Sequence, residues 1–246
     1  MTTNVLDGRN RRVSSDSRWS IQLPGELVFV DNTGFDKIAE RARAVMVCAG
    51  DAKLIDQWKA WFVQPTPSNE VPPTDRAELD GSFHEIYVTI IVKPTYEVIF
   101  SSGDYIKHLD DAAFAGSGRT FARDCYAVNG CSIKCVETAS HHDPKTGGET
   151  KYVDFASGTS NLHQQVVTFQ DLEASFLQKG MVMNMATKEI RSINGTGSSD
   201  LAEAITKEKV SISAPTGHPP RTWTLQEKLD VSSAMRRVVE LEQSGQ

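Results

Sequence analysis

The sequence predicts an α+β fold in which strands and helices are grouped in separate blocks. Short apolar runs crowd the first fifty residues, at a spacing typical of antiparallel hairpins. Two helix-like segments then follow each other, at about 118–128 and 131–141, and a further strand is predicted at 151–155. Strands, then a pair of helices, then strands again favour segregated layers over alternating βαβ units.

The strands of the first fifty residues are predicted from short apolar runs and from the turns that separate them. Asp7-Gly8 separates two such runs, and this dipeptide is a good hairpin signal. Gly50 ends the block, since the period of the apolar residues changes after it. We predict strands at 2–6, 11–20, 27–30, 37–39 and 44–48.

The middle of the chain alternates between helical and extended patterns. From residue 51 the apolar residues recur at helical spacing and predict an amphipathic helix whose aromatic residues belong to the core. The stretch 64–80 is rich in Pro and acidic residues and is predicted to be an exposed loop. Strands are predicted at 84–92 and 96–100, and a short turn or helix at 104–109.

The C-terminal part is predicted to be an extension of a core that spans residues 2–160. Residues 161–246 complete the sandwich, with a flexible linker near 194–200. Thr224 and Glu227 form a capping box, which opens an amphipathic helix. That helix is free to pack on the domain or on a neighbouring subunit.

The bulk properties are those of an ordinary globular chain. It has 246 residues, of which 39% are hydrophobic and 24% charged, enough for one large domain with a sizeable core. The net charge of −6 argues against a general nucleic-acid binder. No apolar run reaches the roughly 18 residues of a membrane span, and no secretory signal is recognisable. We expect no cofactor, no nucleic-acid or membrane partner and a cytoplasmic location.

The four cysteines leave two interpretations open. They are too few for a disulfide framework in a chain of this length. Cys131 and Cys135 are four residues apart and share a helix face, but the nearby histidine pair is only loosely placed for a metal site. Buried reduced thiols are therefore favoured over a metal, which agrees with a reducing compartment.

The N-terminus carries the first chemical signal. Methionine before a small residue is normally removed, and loss of Met1 gives Thr2 a hydroxyl and a free α-amino group. The unperturbed pKa of that amine is about 7.7–8.0, so a sizeable fraction is neutral near pH 7 and can act as a base. A threonine paired with its own terminal amine is a recognised nucleophile.

Six short segments support this candidate, in a fixed order over residues 2–155. They are Thr2-Thr3, Ser15-Asp16-Ser17-Arg18, Phe35-Asp36-Lys37-Ile38, Cys48-Ala49-Gly50-Asp51-Ala52, Gly116-Ser117-Gly118 and Asp143-Pro144-Lys145-Thr146-Gly147-Gly148. Singly, each has an ordinary structural explanation: a surface ion pair, a helix cap or a turn. Together they resemble the proteasome β-type, HslV-like N-terminal-nucleophile (Ntn) hydrolases, in the branch of bacterial or phage proteasome homologues.

The resemblance implies a fold and a nucleophile. The fold is a four-layer αββα sandwich of two antiparallel sheets flanked by helices. The hydroxyl of Thr2 attacks a peptide carbonyl. Asp16 forms a salt bridge with Lys37, whose ammonium favours the alkoxide and lowers the proton affinity of the amine.

The resemblance also implies the groups around the nucleophile. Ser117 and Asp143 orient the terminal amine, and Thr146 completes this hydrogen-bonded set. The backbone N–H of Gly50 serves as the oxyanion hole, a donor whose loss costs on the order of 10²–10³ in rate in other enzymes.

The implied function is a self-compartmentalising threonine peptidase that cleaves polypeptide substrates. The resemblance implies a homo-oligomer of stacked rings with roughly 12 or 14 subunits. Members of this family are often fed by a separate ATP-dependent unfoldase, and since this chain has no nucleotide-binding Gly-rich loop of its own, any unfolding would be delegated to such a partner. Two alternatives remain: a non-catalytic, ring-forming subunit of the same fold, and an Ntn hydrolase that acts on a small amide.

Overall fold

The predicted α+β class is confirmed, with two antiparallel sheets in an arrangement compatible with a sandwich. The computed structural model describes residues 2–77, 82–195, 199–207 and 209–244. Met1, on whose removal the candidate nucleophile depends, lies outside these residues. No helix in the described ranges is long and apolar enough to cross a membrane.

Sixteen strands and six helices lie within the described residues. The strands are β1 (Thr3–Asp7), β2 (Arg12–Ser15), β3 (Trp19–Leu23), β4 (Glu26–Val30), β5 (Ile38–Glu40), β6 (Ala44–Asp51), β7 (Asp75–Ala77), β8 (Phe83–Val92), β9 (Glu97–Ser101), β10 (Ile106–His108), β11 (Ala112–Gly116), β12 (Lys151–Asp154), β13 (Thr159–Ser160), β14 (Met181–Asn184), β15 (Ile190–Ser192) and β16 (Ser213–Ala214). The helices are α1 (Ala52–Phe62), α2 (Arg119–Asn129), α3 (Ser132–His142), α4 (Phe169–Lys179), α5 (Ser199–Thr206) and α6 (Leu225–Gln243).

The first sheet has the strand order β10-β11-β1-β2-β12-β13. The second sheet runs β15-β14-β4-β3-β16-β6-β8-β7, with β5 paired to β6 and β9 paired to β8. The two sheets meet through one apolar cluster, to which β1, β2 and β12 of the first sheet and β5, β6 and β8 of the second contribute. Its buried members are Leu6, Val13, Ile38, Val45, Val47, Ile91 and Val153.

Helices cover the other face of each sheet. Phe114 of β11 packs with Tyr126 of α2 and Val136 of α3 in one buried cluster. A larger cluster joins the second sheet to α1, α4 and α6, where Trp58 and Trp223 lie with ring centroids 5.2 Å apart. Burial on both faces explains why the central strands read as continuous apolar runs rather than as alternating ones.

Most predicted elements of the first half are confirmed. The hairpin at Asp7-Gly8 joins β1 to β2, and Gly130 ends α2 in the left-handed conformation, with φ of 61°. The run 11–20 is divided into β2 and β3 by residues 16–18, which have no regular secondary structure. The strand predicted to end before Gly50 continues to Asp51, whose side chain caps α1 by accepting from the N–H groups of Lys53 and Leu54.

The prediction of a turn or helix at 104–109 was wrong. Ile106–His108 forms β10, and Ala112–Gly116 forms β11, which had not been predicted as a strand. β11 pairs with the whole length of β1, from Thr3↔Gly116 to Asp7↔Ala112. Its small residues give a weak strand signal, and long-range pairing with β1 overrides that local preference.

The outcomes for the loop 64–80 and for the C-terminal part are mixed. The loop 64–80 contains the short strand β7, and its residues 78–80 lie outside the described part. Residues 196–198 of the predicted linker also lie outside it, and the linker's end is helical, because α5 starts at Ser199. The capping box at Thr224 and Glu227 is confirmed. Leu225, the first residue of α6, is 74% exposed, whereas Met235 and Val238 of the same helix are buried.

Candidate active site

The structure brings three of the predicted residues together at the N-terminus. The hydroxyl of Thr2 lies 2.5 Å from Oδ1 of Asp16, and the Nζ of Lys37 lies 3.0 Å from the same hydroxyl. The ion pair between Lys37 Nζ and Asp16 Oδ1 is also 3.0 Å long. Thr2 and the Lys37 side chain are fully buried, and Asp16 is nearly so. The Thr2 hydroxyl therefore donates to a carboxylate while it accepts from an ammonium.

Backbone groups hold Asp16 in place. Its Oδ1 accepts from the N–H of Thr3 at 2.9 Å, and its Oδ2 accepts from Arg18 and Gly147 at 3.1 and 3.2 Å. Asp16 directly follows β2, Thr2 directly precedes β1, and these strands are paired. The hairpin thus sets the separation of carboxylate and hydroxyl. A carboxylate with several N–H donors is a well-satisfied buried anion.

Burial determines the electrostatics of Lys37. Desolvation lowers the pKa of its ammonium, and the charge and hydrogen bond of Asp16 oppose that effect. Lys37 immediately precedes β5, and its Nζ lies 5.4 Å from the centre of the Trp19 ring. A cation over an indole face gains electrostatic stabilisation. The ammonium is therefore held by Asp16, Thr2 and Trp19 in a site without exposure to water.

A second group contains the other predicted hydrogen-bonding residues. The hydroxyls of Ser117 and Thr146 both donate to Oδ2 of Asp143, the latter at 2.7 Å. The Thr146 hydroxyl also lies 2.8 Å from that of Thr3. This chain of hydrogen bonds ends on the Thr3 side chain rather than on the nitrogen of Thr2.

The nitrogen of Thr2 has a different partner. It donates to the carbonyl of Pro215 at 3.2 Å. Pro215 belongs to the C-terminal extension and follows β16. A cleft of about 270 Å³ opens beside it, and its lining includes Gly50 and Lys145.

Gly50, the predicted oxyanion donor, lies at the end of β6 between two partner strands. It is paired with Ile86 of β8 and with Ala214 of β16. Its φ is +116°, and an added Cβ would lie 2.2 Å from the carbonyl oxygen of Glu85. Only glycine fits this close approach. Ala214 directly precedes Pro215, so the residue paired with Gly50 is the chain neighbour of the residue that accepts from the nitrogen of Thr2.

Two further glycines shape the site. A Cβ on Gly116 would lie 1.8 Å from the carbonyl oxygen of Thr2, and a Cβ on Gly118 would lie 2.0 Å from the Thr3 hydroxyl. These values mean that the backbone of the Gly116–Gly118 turn touches the N-terminal residues directly. The motif is therefore explained by close packing as well as by the start of α2.

Gly118→Ala tests this close packing. The new methyl group must displace the Thr3 hydroxyl and approach that of Thr146 to 2.9 Å. We expect a loss of about 1–3 kcal/mol in the free energy of unfolding, as for other overpacked positions. Urea unfolding measures it. Gly195→Ala is the matched control, because the nearest heavy atom to its added Cβ is 3.2 Å away, at the carbonyl of Ser192. Equal stability of the two variants would contradict the prediction.

Sequence reasoning missed three contacts of this site: Thr3, Gly147 and Pro215. Thr3 and Gly147 lie inside segments that the sequence had already indicated, but the atoms that they contact are known only from the three-dimensional structure. Pro215 left no signal, because its residue type and neighbours are those of an ordinary polar loop.

The cysteines lie outside this site. All four are free thiols, and Cys48 and Cys135 are buried. Burial raises the pKa of the Cys48 thiol to about 12. No group of three or more His, Cys, Asp or Glu side chains is placed to hold a metal ion in the described ranges.

Comparisons with protein-family models, with curated proteins and with solved structures give no match for this chain.

Proposed function

We propose that this chain is a threonine peptidase of the N-terminal-nucleophile class, with the four-layer αββα fold of that class. The observation that carries the proposal is the contact of one hydroxyl, that of Thr2, with both members of a fully buried ion pair. A buried ion pair contributes little to stability on balance, and perturbed buried charges concentrate at functional sites. The position of Thr2 directly after Met1 favours a catalytic role for this hydroxyl over a structural one.

The proposed reaction starts when Met1 has been removed. Thr2 Oγ1 attacks the carbonyl carbon of a peptide bond, and the free α-amine of Thr2 accepts the hydroxyl proton directly or through water. The C–N bond of the tetrahedral intermediate then breaks, and the leaving amine takes that proton. The remaining ester on Thr2 is hydrolysed by water, which regenerates the hydroxyl.

Each surrounding group has a part in this scheme. The Lys37 ammonium stabilises negative charge that develops on Oγ1, and Asp16 keeps that ammonium charged and in place. The N–H of Gly50 donates to the oxyanion. Ser117, Asp143 and Thr146 position the N-terminal residues through Thr3 and are positioning residues.

Thr2 is expected to react covalently with a peptide epoxyketone, which combines with both the hydroxyl and the amine of an N-terminal threonine. Intact mass will show whether Met1 is absent and whether one adduct forms, and fragment mass spectra will place it at Thr2. Heat-denatured protein serves as the control and should form no adduct. A Met1-free protein that forms no adduct and cleaves no peptide would contradict the proposal.

The proposal includes polypeptide substrates, stacked homo-oligomeric rings in the cytoplasm and a separate ATP-driven unfoldase, as the resemblance implies. The ring is tested by light scattering on the purified protein. A monomer at micromolar concentration would exclude self-compartmentalisation while leaving the chemistry of Thr2 open. Turnover of peptides against small amides separates a peptidase from a small-amide hydrolase.

A second candidate is a non-catalytic subunit of the same fold. The complete burial of Thr2 and the bond from its nitrogen to Pro215 favour it, since a nucleophile must meet its substrate. Retention of Met1 in the purified protein would decide for this candidate, because an amide nitrogen cannot serve as the base.

A further inference from the structure

A short strand of the C-terminal extension lies beside the candidate nucleophile. β16 is paired with β6 at Ser213↔Asp51 and Ala214↔Gly50, and with β3 at Ser213↔Ser20. It is antiparallel to both neighbours. Two strands with a gap of one strand between them form a place that an extended peptide can fill through its backbone. Here the chain fills this place with its own residues.

The contacts of this segment continue on both sides of β16. Before it, Ile212 accepts from the N–H of Ala52 at 2.9 Å, and the hydroxyl of Ser211 donates to Asp51 at 2.7 Å. After it, Pro215 accepts from the nitrogen of Thr2 at 3.2 Å. Residues 211–215 are therefore bound both to the end of β6, which contains Gly50, and to the candidate nucleophile Thr2.

The segment ends against the turn that supports Thr2. An added Cβ on Gly217 would lie 3.2 Å from the carbonyl carbon of Gly116, and the φ of Gly217 is +79°. The Nη1 of Arg119 lies 3.0 Å from Nε2 of His218 and 3.4 Å from the carbonyl oxygen of Gly217. Arg119 thus clamps the end of the segment onto the start of α2.

The segment is tied to the core at both ends. Ile205 before it and Trp223 after it are almost completely buried, and the indole N–H of Trp223 donates to the carbonyl of Ile86 at 2.9 Å. Between these anchors Ile212 and Ala214 are buried, the side chains of Ser213 and Pro215 are half buried, and Gly217 is exposed. A segment with two buried side chains between fixed ends can open locally without global unfolding.

We propose that residues 211–218 are an intramolecular plug, which occupies the strand position between β3 and β6 and closes access to Thr2 until it moves out. This inference rests on the proposed function for its biological meaning, but occupancy of the strand position can be tested without chemistry. The peptide that enters instead would be extended, with small side chains at the positions that correspond to Ser213 and Ala214.

Gly217→Val tests the plug, because a β-branched residue is strained at a φ of +79° and its Cβ would lie 2.8 Å from Arg119 Nη1. A fluorescent peptide with the sequence of residues 211–218 is the probe. We expect the variant to bind this peptide at least about tenfold more tightly than the wild type, since the fraction of open sites rises. Epoxyketone adduct formation should accelerate by a similar factor.

Gly158→Val is the matched control, since Gly158 has a φ of +69° and no atom within 4 Å of its added Cβ. It should bind the peptide as the wild type does. Arg119→Ala is the second variant, for use alone if Gly217→Val fails to fold by circular dichroism, and in combination with it otherwise. A scrambled peptide controls for non-specific binding.

The outcomes separate the two proposals. Equal peptide binding by the wild type and by the folded plug variants would overturn the plug. Tighter peptide binding without any adduct on Met1-free protein would leave the plug standing and overturn the peptidase. Faster adduct formation together with tighter binding would support both.

Discussion

Thr2→Ala is expected to abolish peptide cleavage and epoxyketone adduct formation while the protein stays folded. The hydroxyl that contacts both Asp16 and Lys37 belongs to Thr2, and the methyl group of alanine supplies no nucleophile in its place. Removal of the nucleophile of a serine hydrolase costs on the order of 10⁶ in kcat. Because both partners of this hydroxyl are charged, its loss costs about 1.5–3 kcal/mol in the free energy of unfolding, which a domain of this size should survive. Peptide turnover and urea unfolding of the same preparation measure the two effects.

Thr2→Ser is the matched control for this prediction. It keeps the hydroxyl and allows removal of Met1, so adduct formation at position 2 should persist at a measurable rate. Loss of activity in both variants, with correct processing and folding, would point to a requirement for the Thr2 methyl group. Unchanged activity of Thr2→Ala would contradict the assignment of the nucleophile.

The sequence was informative where local signals and tertiary contacts agree. Asp7-Gly8 formed the predicted hairpin, and Thr224 with Glu227 formed the predicted capping box of α6. In each case a few adjacent residues determine the local geometry. The grouping of helices and strands, and hence the α+β class, follows from the same short-range patterns.

The sequence was uninformative where distant residues decide the structure. β11 is built of small residues, and it becomes a strand because β1 lies beside it. Pro215 contacts Thr2 across more than two hundred residues, and no periodicity or composition encodes such a contact. The pairing of Asp16 with Lys37 was expected only because the order of the motifs resembles a known family. Without that resemblance, nothing local to either residue predicts that the two will pair.

The candidate site, too, was predicted in part and not in full. Ser117, Asp143 and Thr146 lie together as expected, yet they meet Thr3 rather than the nitrogen of Thr2. The order of motifs along the chain predicts which segments meet. It does not predict which atoms form hydrogen bonds, because that depends on small differences in backbone position.

Lys37→Met is expected to lower both stability and activity, for one electrostatic reason. Methionine has a similar length but no charge, so the Asp16 carboxylate stays buried without its cation. Breaking a buried pair from one side costs about 3–5 kcal/mol in the free energy of unfolding. The rate of adduct formation should fall by on the order of 10²–10³, as when an electrostatic stabiliser of a transition state is removed. Urea unfolding and adduct kinetics measure the two losses.

The double variant Asp16→Asn, Lys37→Met distinguishes charge from packing. It removes both buried charges, and neutral replacement of a buried pair is often close to neutral in stability. We therefore expect it to be more stable than Lys37→Met alone, because the unpaired carboxylate is gone, and to remain as inactive. If the double variant were the less stable of the two, the stability effect of Lys37 would lie in packing against Trp19 and Thr2 rather than in its charge. If it regained activity, the ammonium would have no part in activating the hydroxyl, and the proposed role of Lys37 would be wrong.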